Sequence, residues 1–180
     1  MKATRIMLAA MVFGTAIGAS QANAQGCIGA ASCAGTQTAQ VIVPALVKLA
    51  MTANSTTLTP PSANDIDVGA TVGPDAGPTF TIKANRSWTL NIKSGVATNW
   101  TYVGSFAGTK PISDLEWATA AGGSYAAITA SDVLFASGAS ATNNATVQPF
   151  FKTLWAAGFN NAANAPGTYS LPVTFTLSAP

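Results

Sequence analysis

The sequence contains no histidine. This absence excludes a serine or cysteine nucleophile activated by histidine, and it excludes metal sites built on imidazole ligands. Two close acidic pairs remain as candidates for a glycosidase dyad or a weak calcium site, and they are Asp65 with Asp67 and Asp114 with Glu116. The simpler interpretation places these carboxylates in turns or on a solvated strand face. We therefore expect a protein that is not an enzyme and that uses no cofactor and no metal.

Charge is also scarce, with 8 Lys and Arg against 6 Asp and Glu in the whole chain. Two of the basic residues, Lys2 and Arg5, belong to an N-terminal segment that we expect to be removed, so 6 basic residues face 6 acidic ones in the remainder. A net charge near zero does not favour nucleic acid or an anionic membrane as a partner. A surface of Thr, Ser, Asn, Ala and Gly is typical of exported, surface-associated or self-assembling β proteins.

Residues 1–24 have the pattern of a cleaved export signal. Lys2 and Arg5 precede an uncharged, mostly apolar run over residues 6–19, and Ala22-Asn-Ala24 has the small-x-small form of a cleavage site. The run is shorter than a membrane-spanning helix requires. We expect the mature chain to have no transmembrane segment and to reside in the periplasm, at the cell surface or outside the cell.

The two cysteines, Cys27 and Cys33, lie in a Gly- and Ala-rich tail over residues 25–38. In an exported chain such a pair predicts a small structural disulfide loop. A metal or redox function lacks support, because the spacing is not Cys-x-x-Cys and no histidine is available. Residues 39–180 then form one domain, which is long enough to bury a sizeable core.

Alternation of apolar and polar residues is clearest over residues 80–93. Phe80 and Ile82 alternate with polar residues, and after a polar break the alternation resumes with Trp88, Leu90 and Ile92. This pattern predicts two half-buried strands. Directly opposed residues of a hairpin point to the same face, so the apolar positions of the two strands match across a three-residue loop. Alternatively, the two strands part into different sheets, and either arrangement places Trp88 in the interior.

The remaining pattern predicts several more strands and no helix with caps. Residues 40–49 read as a long strand interrupted by Pro44, residues 54–67 as one short strand at most, residues 69–78 as a turn-rich connection, and residues 147–155 as a central strand. Residues 168–177 form the closing strand, whose inward side chains are Tyr169, Leu171, Val173, Phe175 and Leu177. Together these segments predict an all-β, Ig-like antiparallel sandwich of about eight strands.

Aromatic side chains on exposed strand faces can bind sugars. Most aromatic residues here lie on the apolar phase of their strands and are expected in the core. Trp100 and Tyr102 are flanked by few apolar residues, so they are the candidates for aromatic side chains that face a ligand.

Two short signatures resemble the WxL domain of bacterial cell-surface proteins. Trp88-Thr-Leu90 is similar to its first motif, and the stretch from Tyr169 to Leu177 is similar to its C-terminal motif, with Phe175 in place of the second tryptophan. The resemblance implies an exported β-sandwich attached non-covalently to the cell envelope, with peptidoglycan binding. A looser similarity, in the sandwich, the cysteine pair and the alternating terminal strands, extends to chaperone–usher pilins and spore-coat proteins.

Two functions follow as expectations. The first is a non-catalytic envelope-associated protein that binds glycan or the cell wall. The alternative is a self-assembling structural subunit of pilin or coat type, because unpaired edges at both terminal strands invite strand addition. Pro44 and Pro172 each remove a hydrogen-bond donor, which is a common way to blunt an edge. The partners are accordingly cell-wall polysaccharide, other envelope proteins or copies of the chain itself.

Overall fold

A computed structural model describes residues 37–179 of the chain. The expected export signal and the Cys27–Cys33 loop lie outside these residues. The strands all belong to a unit that spans Val43–Pro180, whereas residues 37–42 belong to a separate unit, Met1–Ile42, and are exposed without regular secondary structure.

The described chain is almost entirely β, which confirms the predicted fold class. Its strands are β1 (Val47–Met51), β2 (Thr71–Ala76), β3 (Phe80–Ala84), β4 (Trp88–Ser94), β5 (Thr101–Gly104), β6 (Leu115–Ala118), β7 (Ala126–Ala127), β8 (Val133–Gly138), β9 (Thr142–Val147), β10 (Phe150–Leu154), β11 (Gly167–Ser170) and β12 (Val173–Ser178). One short helix, α1 (Ala63–Val68), and two 3-10 turns, Ile112–Asp114 and Ala162–Asn164, complete the list. The count of strands exceeds eight because several strands are interrupted and resume.

Four antiparallel sheets combine into two layers. The sheets have the orders β1-β3-β9, β2-β10-β6-β7, β11-β5 and β12-β4-β8. The chain passes directly from β2 into β3 and from β9 into β10. Because β2 pairs with β10 and β3 pairs with β9, the pairing continues from the first sheet to the second, and the two sheets form one layer. In the same way β4 with β12 and β5 with β11 form the second layer.

Aromatic contacts join the layers into a sandwich. The ring of Phe80 on β3 lies 4.3 Å from that of Phe175 on β12, and the ring of Trp117 on β6 lies 5.5 Å from that of Phe135 on β8. The burial of apolar surface between the layers is the main stabilising contribution to such a fold.

The two central predicted strands are β3 and β4, and they part into different layers. This is one of the two arrangements that the parity of residues 80–93 predicted. Trp88 is only 5% exposed, as expected from its position at the start of β4. Residues 147–155 also follow the prediction in part, since β10 lies between β2 and β6 inside its sheet.

Two other predictions are wrong, since the strand expected from residue 40 begins only at Val47 and the connection over residues 69–78 contains β2. Residues 54–67, where at most one short strand was expected, contain no strand, and the helix α1 begins at Ala63. That helix begins with a capping box, in which Ser62 and Asp65 bond each other's backbone N–H, and ends at Gly69 with φ 72°.

The sandwich has two ends that matter below. The Asn85 end consists of residues that pair or turn together at residues 44–47, 84–89, 138–143 and 178. The Gly167 end consists of residues joined by strand pairing or backbone hydrogen bonds at residues 66–71, 104–109 and 154–167. The strands β11 and β12 run in succession from the Gly167 end to the Asn85 end.

Candidate functional site

One long side of the sandwich is bordered by strands that each have one partner. Within residues 37–179, β12 pairs with β4 alone, β11 with β5 alone, and β1 with β3 alone. β1 borders one layer and β11 with β12 border the other, and β1 approaches β12 on this side without pairing with it. An edge of this kind offers unpaired N–H and C=O groups to a further strand.

The inward side chains along these edges are incompletely covered. Leu90 and Ile92 on β4 are 0% exposed, whereas their direct neighbours on β12, Leu177 and Phe175, are only half-buried. On the opposite edge Met51 is 53% exposed, although it pairs with a fully buried residue of β3. The core is therefore fully covered beneath β4 and β3 and only partly covered along β12 and β1.

A cleft of about 760 Å³ follows this open side. Its walls are residues 51–61 and residues 167–175. Its floor consists of side chains from the interior, which are Phe80, Trp100, Lys110, Leu115, Phe151, Thr153 and Trp155. The floor is apolar near Phe80 and polar near the Gly167 end.

Lys110 is the charged group of the polar floor, and it is only 1% exposed. Its Nζ donates to Asp114 Oδ2 at 3.1 Å and to the carbonyl oxygen of Leu154, and it lies 4.1 Å from the ring centroid of Trp155. Burial lowers the pKa of the Lys110 ammonium, and the Asp114 carboxylate opposes that shift. The ion pair and the cation–π contact compensate a charge that would otherwise be expensive to bury.

Two polar atoms of the floor have no hydrogen-bond partner among the described residues. They are Thr153 Oγ1 and Trp155 Nε1, and each atom is buried. Thr153 is 3% exposed. Unpaired buried polar atoms are rare in folded proteins. Here both side chains line the floor of the cleft.

The two aromatic residues predicted to face a ligand occupy different surroundings. Trp100 is 8% exposed, and its Nε1 donates to Pro111 O at 3.0 Å, so the prediction that it is exposed is wrong. Tyr102 is half-buried, its hydroxyl donates to Pro166 O at 2.9 Å, and its ring lies 4.9 Å from that of Tyr169. Packing and hydrogen bonds to the neighbouring chain segments account for both side chains.

The motif residues behind the WxL resemblance divide between core and edge. Trp88 and Leu90 are buried on β4, and Leu177 pairs directly with Leu90 from β12. Phe175 lines the cleft, and Tyr169 lines it at the Gly167 end. The motif residues thus fall on β4, which is covered, and on β11 and β12, which form one wall of the cleft.

The acidic pairs are engaged separately rather than as dyads. Asp65 accepts hydrogen bonds from the Ser62 hydroxyl at 2.6 Å and the Ser62 N–H at 2.8 Å, and these bonds lower the pKa of the Asp65 carboxyl. Asp114 pairs with Lys110, and Glu116 lies opposite Lys152 on the neighbouring strand. Within residues 37–179 no three acidic, histidine or cysteine side chains cluster as a metal site requires.

Residues 37–46, named here the extension, precede β1 and have no regular secondary structure. Their apolar side chains are exposed, with Val41 at 85%, Ile42 at 80% and Val43 at 69%. Asn85 holds the last part of the extension, because its Oδ1 accepts from the Leu46 N–H at 2.9 Å and its Nδ2 donates to Pro44 O at 2.8 Å.

Sequence reasoning identified the terminal strands as edges, but it assigned the extension to a strand and missed the polar floor. Lys110 follows Gly108-Thr109 and precedes Pro111, a context that predicts an exposed loop residue. Thr153 lies in the alternating pattern of β10 as one more polar position. No feature of the sequence distinguishes either residue from a solvated one.

None of the helices described over residues 37–179 has the length and apolar character needed to cross a membrane. No family model and no curated protein matches the chain. Among solved structures it is similar to a chain from the structure of a chaperone–usher pilus that concerns rod uncoiling, with 10% sequence identity and a TM-score of 0.48. The alignment covers 85% of this chain and 99% of that one. A likeness of this size does not assign a function.

Proposed function

We propose that the protein is a structural subunit that assembles with copies of itself by strand addition. The extension of one copy enters the cleft of another and pairs with the free edge of β11 and β12. The observation that carries this proposal is the partly exposed row of inward side chains along β11 and β12, next to fully buried ones on β4. One further strand would cover that row and pair the edge.

The extension has the composition that such a strand requires. Val41 and Val43 lie on one face of an extended chain, and that phase continues into Val47 and Leu49 of β1. Burying a valine side chain from water contributes roughly 1.5–3 kcal/mol. An exposed run of three branched residues is therefore unfavourable in the free subunit and favourable in a cleft.

Length and charge also match. The seven residues from Gln37 to Val43 span about 23 Å when extended, and the seven residues from Gly167 to Val173, which cover β11 and the start of β12, span about the same length. Neither residues 37–46 nor residues 167–179 contain a charged side chain. The two segments can therefore approach without charge repulsion and without desolvating an ion.

The positions of the ends favour an open chain of subunits. The extension leaves its own subunit at the Asn85 end. Entry at the Gly167 end of an acceptor makes the added strand antiparallel to β11 and β12, whereas entry at the acceptor's Asn85 end makes it parallel. Antiparallel pairing is the more stable of the two per residue. A head-to-tail contact of this kind does not close, so it generates a fibre.

This proposal is favoured over glycan binding, because Trp100 is buried and the half-buried Tyr102 is hydrogen-bonded to Pro166. Export to the periplasm or cell surface, suggested by residues 1–24, is part of the proposal, since a fibre subunit acts outside the cytoplasm. The absence of catalysis remains a prediction of the sequence.

The test compares the mature chain, residues 25–180, with two charge variants in the extension. We expect the unmodified protein to form ladders that resist detergent and high masses in light scattering after size-exclusion chromatography. Val41→Asp combined with Val43→Asp places two carboxylates on the inserted face and should give monomers, because a buried unpaired charge is strongly unfavourable. Gln40→Asp is the matched control, since it introduces a carboxylate on the opposite face and should still polymerise.

A monomer at every concentration of the unmodified protein would reject strand addition between copies. In that case retention of the monomer on purified cell wall would support the glycan-binding alternative. Equal loss of polymers in Gln40→Asp and in the double variant would show that charge in the extension, rather than its inserted face, controls assembly.

A further inference from the structure

The Gly167 end carries an exposed aromatic surface. Phe106 is 65% exposed and Phe159 is 64% exposed. Their loops are joined by the hydrogen bond from Thr109 N to Ala162 O at 3.0 Å. Aromatic side chains of this size are enriched at the centres of protein interfaces and are unfavourable when left in water.

The Asn85 end carries a shallow hollow of about 470 Å³. Its apolar lining is formed by Leu46, Val47, Ala84 and Ala141, and Leu46 is 58% exposed. Its rim is polar and consists of Lys48, Lys83, Asn85, Thr142 and Asn143. The hollow has the apolar centre and polar border of an interface patch.

We propose that Phe106 and Phe159 of one subunit dock in the hollow of the next, as a second contact beside the inserted strand. This inference rests on the proposed function. Antiparallel strand addition brings the Asn85 end of the donor to the Gly167 end of the acceptor, so these two surfaces are the ones that meet. The occupant of the hollow is therefore a second copy of this chain.

The hydrogen bonds of Asn85 to the extension would keep the donor's Asn85 end close to the acceptor's Gly167 end. Pro44 and Leu46 are both hydrogen-bonded to Asn85, and Leu46 itself lines the hollow. Only residues before Pro44 are free to enter the acceptor. The acceptor's Gly167 end must therefore lie within a few residues' reach of the donor's hollow, which leaves no room for a long flexible joint.

The chemistry of the two surfaces is complementary. A phenyl ring buried in the hollow removes apolar surface from water on both subunits. The ammonium groups of Lys48 and Lys83 on the rim can approach the ring face, which is a favourable cation–π arrangement. No carboxylate lines the hollow.

The test maps the contact in polymers of the mature chain. Photoreactive benzoylphenylalanine in place of Phe159 should cross-link, on irradiation, to peptides that contain residues 46–48, 83–85 or 141–143 of another copy. The matched control carries the same group in place of Leu134, which is 56% exposed on β8 and lies at neither end. We expect no cross-links from that control to the hollow.

A second measurement uses Phe106→Ser with Phe159→Ser and, separately, Ala141→Glu. Each should leave detergent-resistant ladders intact and shorten the persistence length of the fibres in electron micrographs, while Leu134→Ser should not. If the ladders form but Phe159 cross-links outside the hollow, the end-to-end contact is overturned while strand addition stands. The same conclusion follows if the ladders form and the fibres of both variants keep the persistence length of the unmodified protein. Absence of ladders from the unmodified protein would overturn both the contact and the strand addition on which it rests.

Discussion

The ring of Phe175 lies 4.3 Å from the ring of Phe80, yet Phe80 is fully buried and Phe175 is partly exposed. The two residues are on strands of opposite layers, and the contact between them closes the core from inside the cleft. Phe175 also meets the ring of Phe135 at 5.5 Å, edge to face. One side of Phe175 thus belongs to the core, and the other side belongs to the cleft.

Phe175→Ala should destabilise the monomer by about 2–3 kcal/mol, which is below the 3–5 kcal/mol typical of a fully buried phenylalanine because part of the side chain is already exposed. Urea unfolding followed by tryptophan fluorescence measures this change. Thr176→Ala, at an exposed position on the same strand, is the control and should change stability by about 0.5 kcal/mol or less. Equal effects of the two substitutions would show that strand propensity, rather than the contacts of Phe175, accounts for the loss.

Thr153→Val should stabilise the monomer by roughly 1–2 kcal/mol. The substitution removes a buried hydroxyl that has no partner within the described chain, and it keeps the branched shape of the side chain. The measurement is the midpoint of urea unfolding, which should rise while the m-value stays the same. A destabilised Thr153→Val variant would mean that the hydroxyl is hydrogen-bonded in solution.

The stability of the fold should depend on pH through Lys110. The unfolded chain holds the Lys110 proton up to the ordinary pKa of 10.5, whereas the folded chain releases it at a lower pH because burial lowers the pKa. Between these two pKa values the unfolded state binds more protons, so the free energy of unfolding rises with pH. Below the lowered pKa both states hold the proton, and Lys110 contributes no slope.

The experiment compares the free energy of unfolding of the unmodified protein and of Lys110→Met over a series of alkaline pH values. The difference, unmodified minus variant, should increase with pH inside that window. Parallel curves for the two proteins would show that the pKa of Lys110 is the same in the folded and unfolded chains.

Asn85→Ala should release the end of the extension at a cost of about 1 kcal/mol, since two largely exposed hydrogen bonds are lost. Hydrogen exchange at the Leu46 N–H should become faster, while exchange at buried amides of β4 stays the same. Asn144→Ala, an exposed amide on β9, is the control and should leave Leu46 unchanged. Unchanged exchange at Leu46 in Asn85→Ala would show that the side chain does not hold the extension.

The sequence predicts the core strands well because their side chains carry the signal themselves. Apolar and polar residues alternate from Phe80 to Ile92 because each inward side chain packs against the opposite layer. This alternation is visible in the local sequence, without knowledge of which strands pair. The split of the closing strand at Pro172 and the late start of β1 depend instead on neighbours. Pairing of β1 with β3 stops at Val47, and the Asn85 side chain takes the backbone groups of the extension before it.

Two elements were missed for local reasons. The capping box of Ser62 and Asp65 and the following Gly69 were present as a signal for α1, but a helix of six residues is too short to show a period of 3.6. The strand β2 contains Gly73 and Pro74, which predict a turn. Gly73 is required there because its φ is 119° and an added Cβ would lie 2.7 Å from the carbonyl oxygen of Phe151.

The cleft could not be predicted in the same way. Its polar floor combines Lys110 from a loop with Thr153 near the end of β10 and Trp155 just after it, and these positions meet only after both layers have formed. The sequence identified which strands lie at the edges. It carried no information on what those edges leave uncovered between them.

The continuity of the extension with β1 has a mechanical consequence for a fibre assembled as proposed. Tension applied to an inserted extension acts along the axis of β1, so the five residue pairs from Val47 with Ala84 to Met51 with Phe80 are loaded together in shear. Shear resists force better than peeling, because several hydrogen bonds must break at once. The pairing of the mostly exposed β1 with β3 is therefore the part of each subunit that carries the tension along such a fibre.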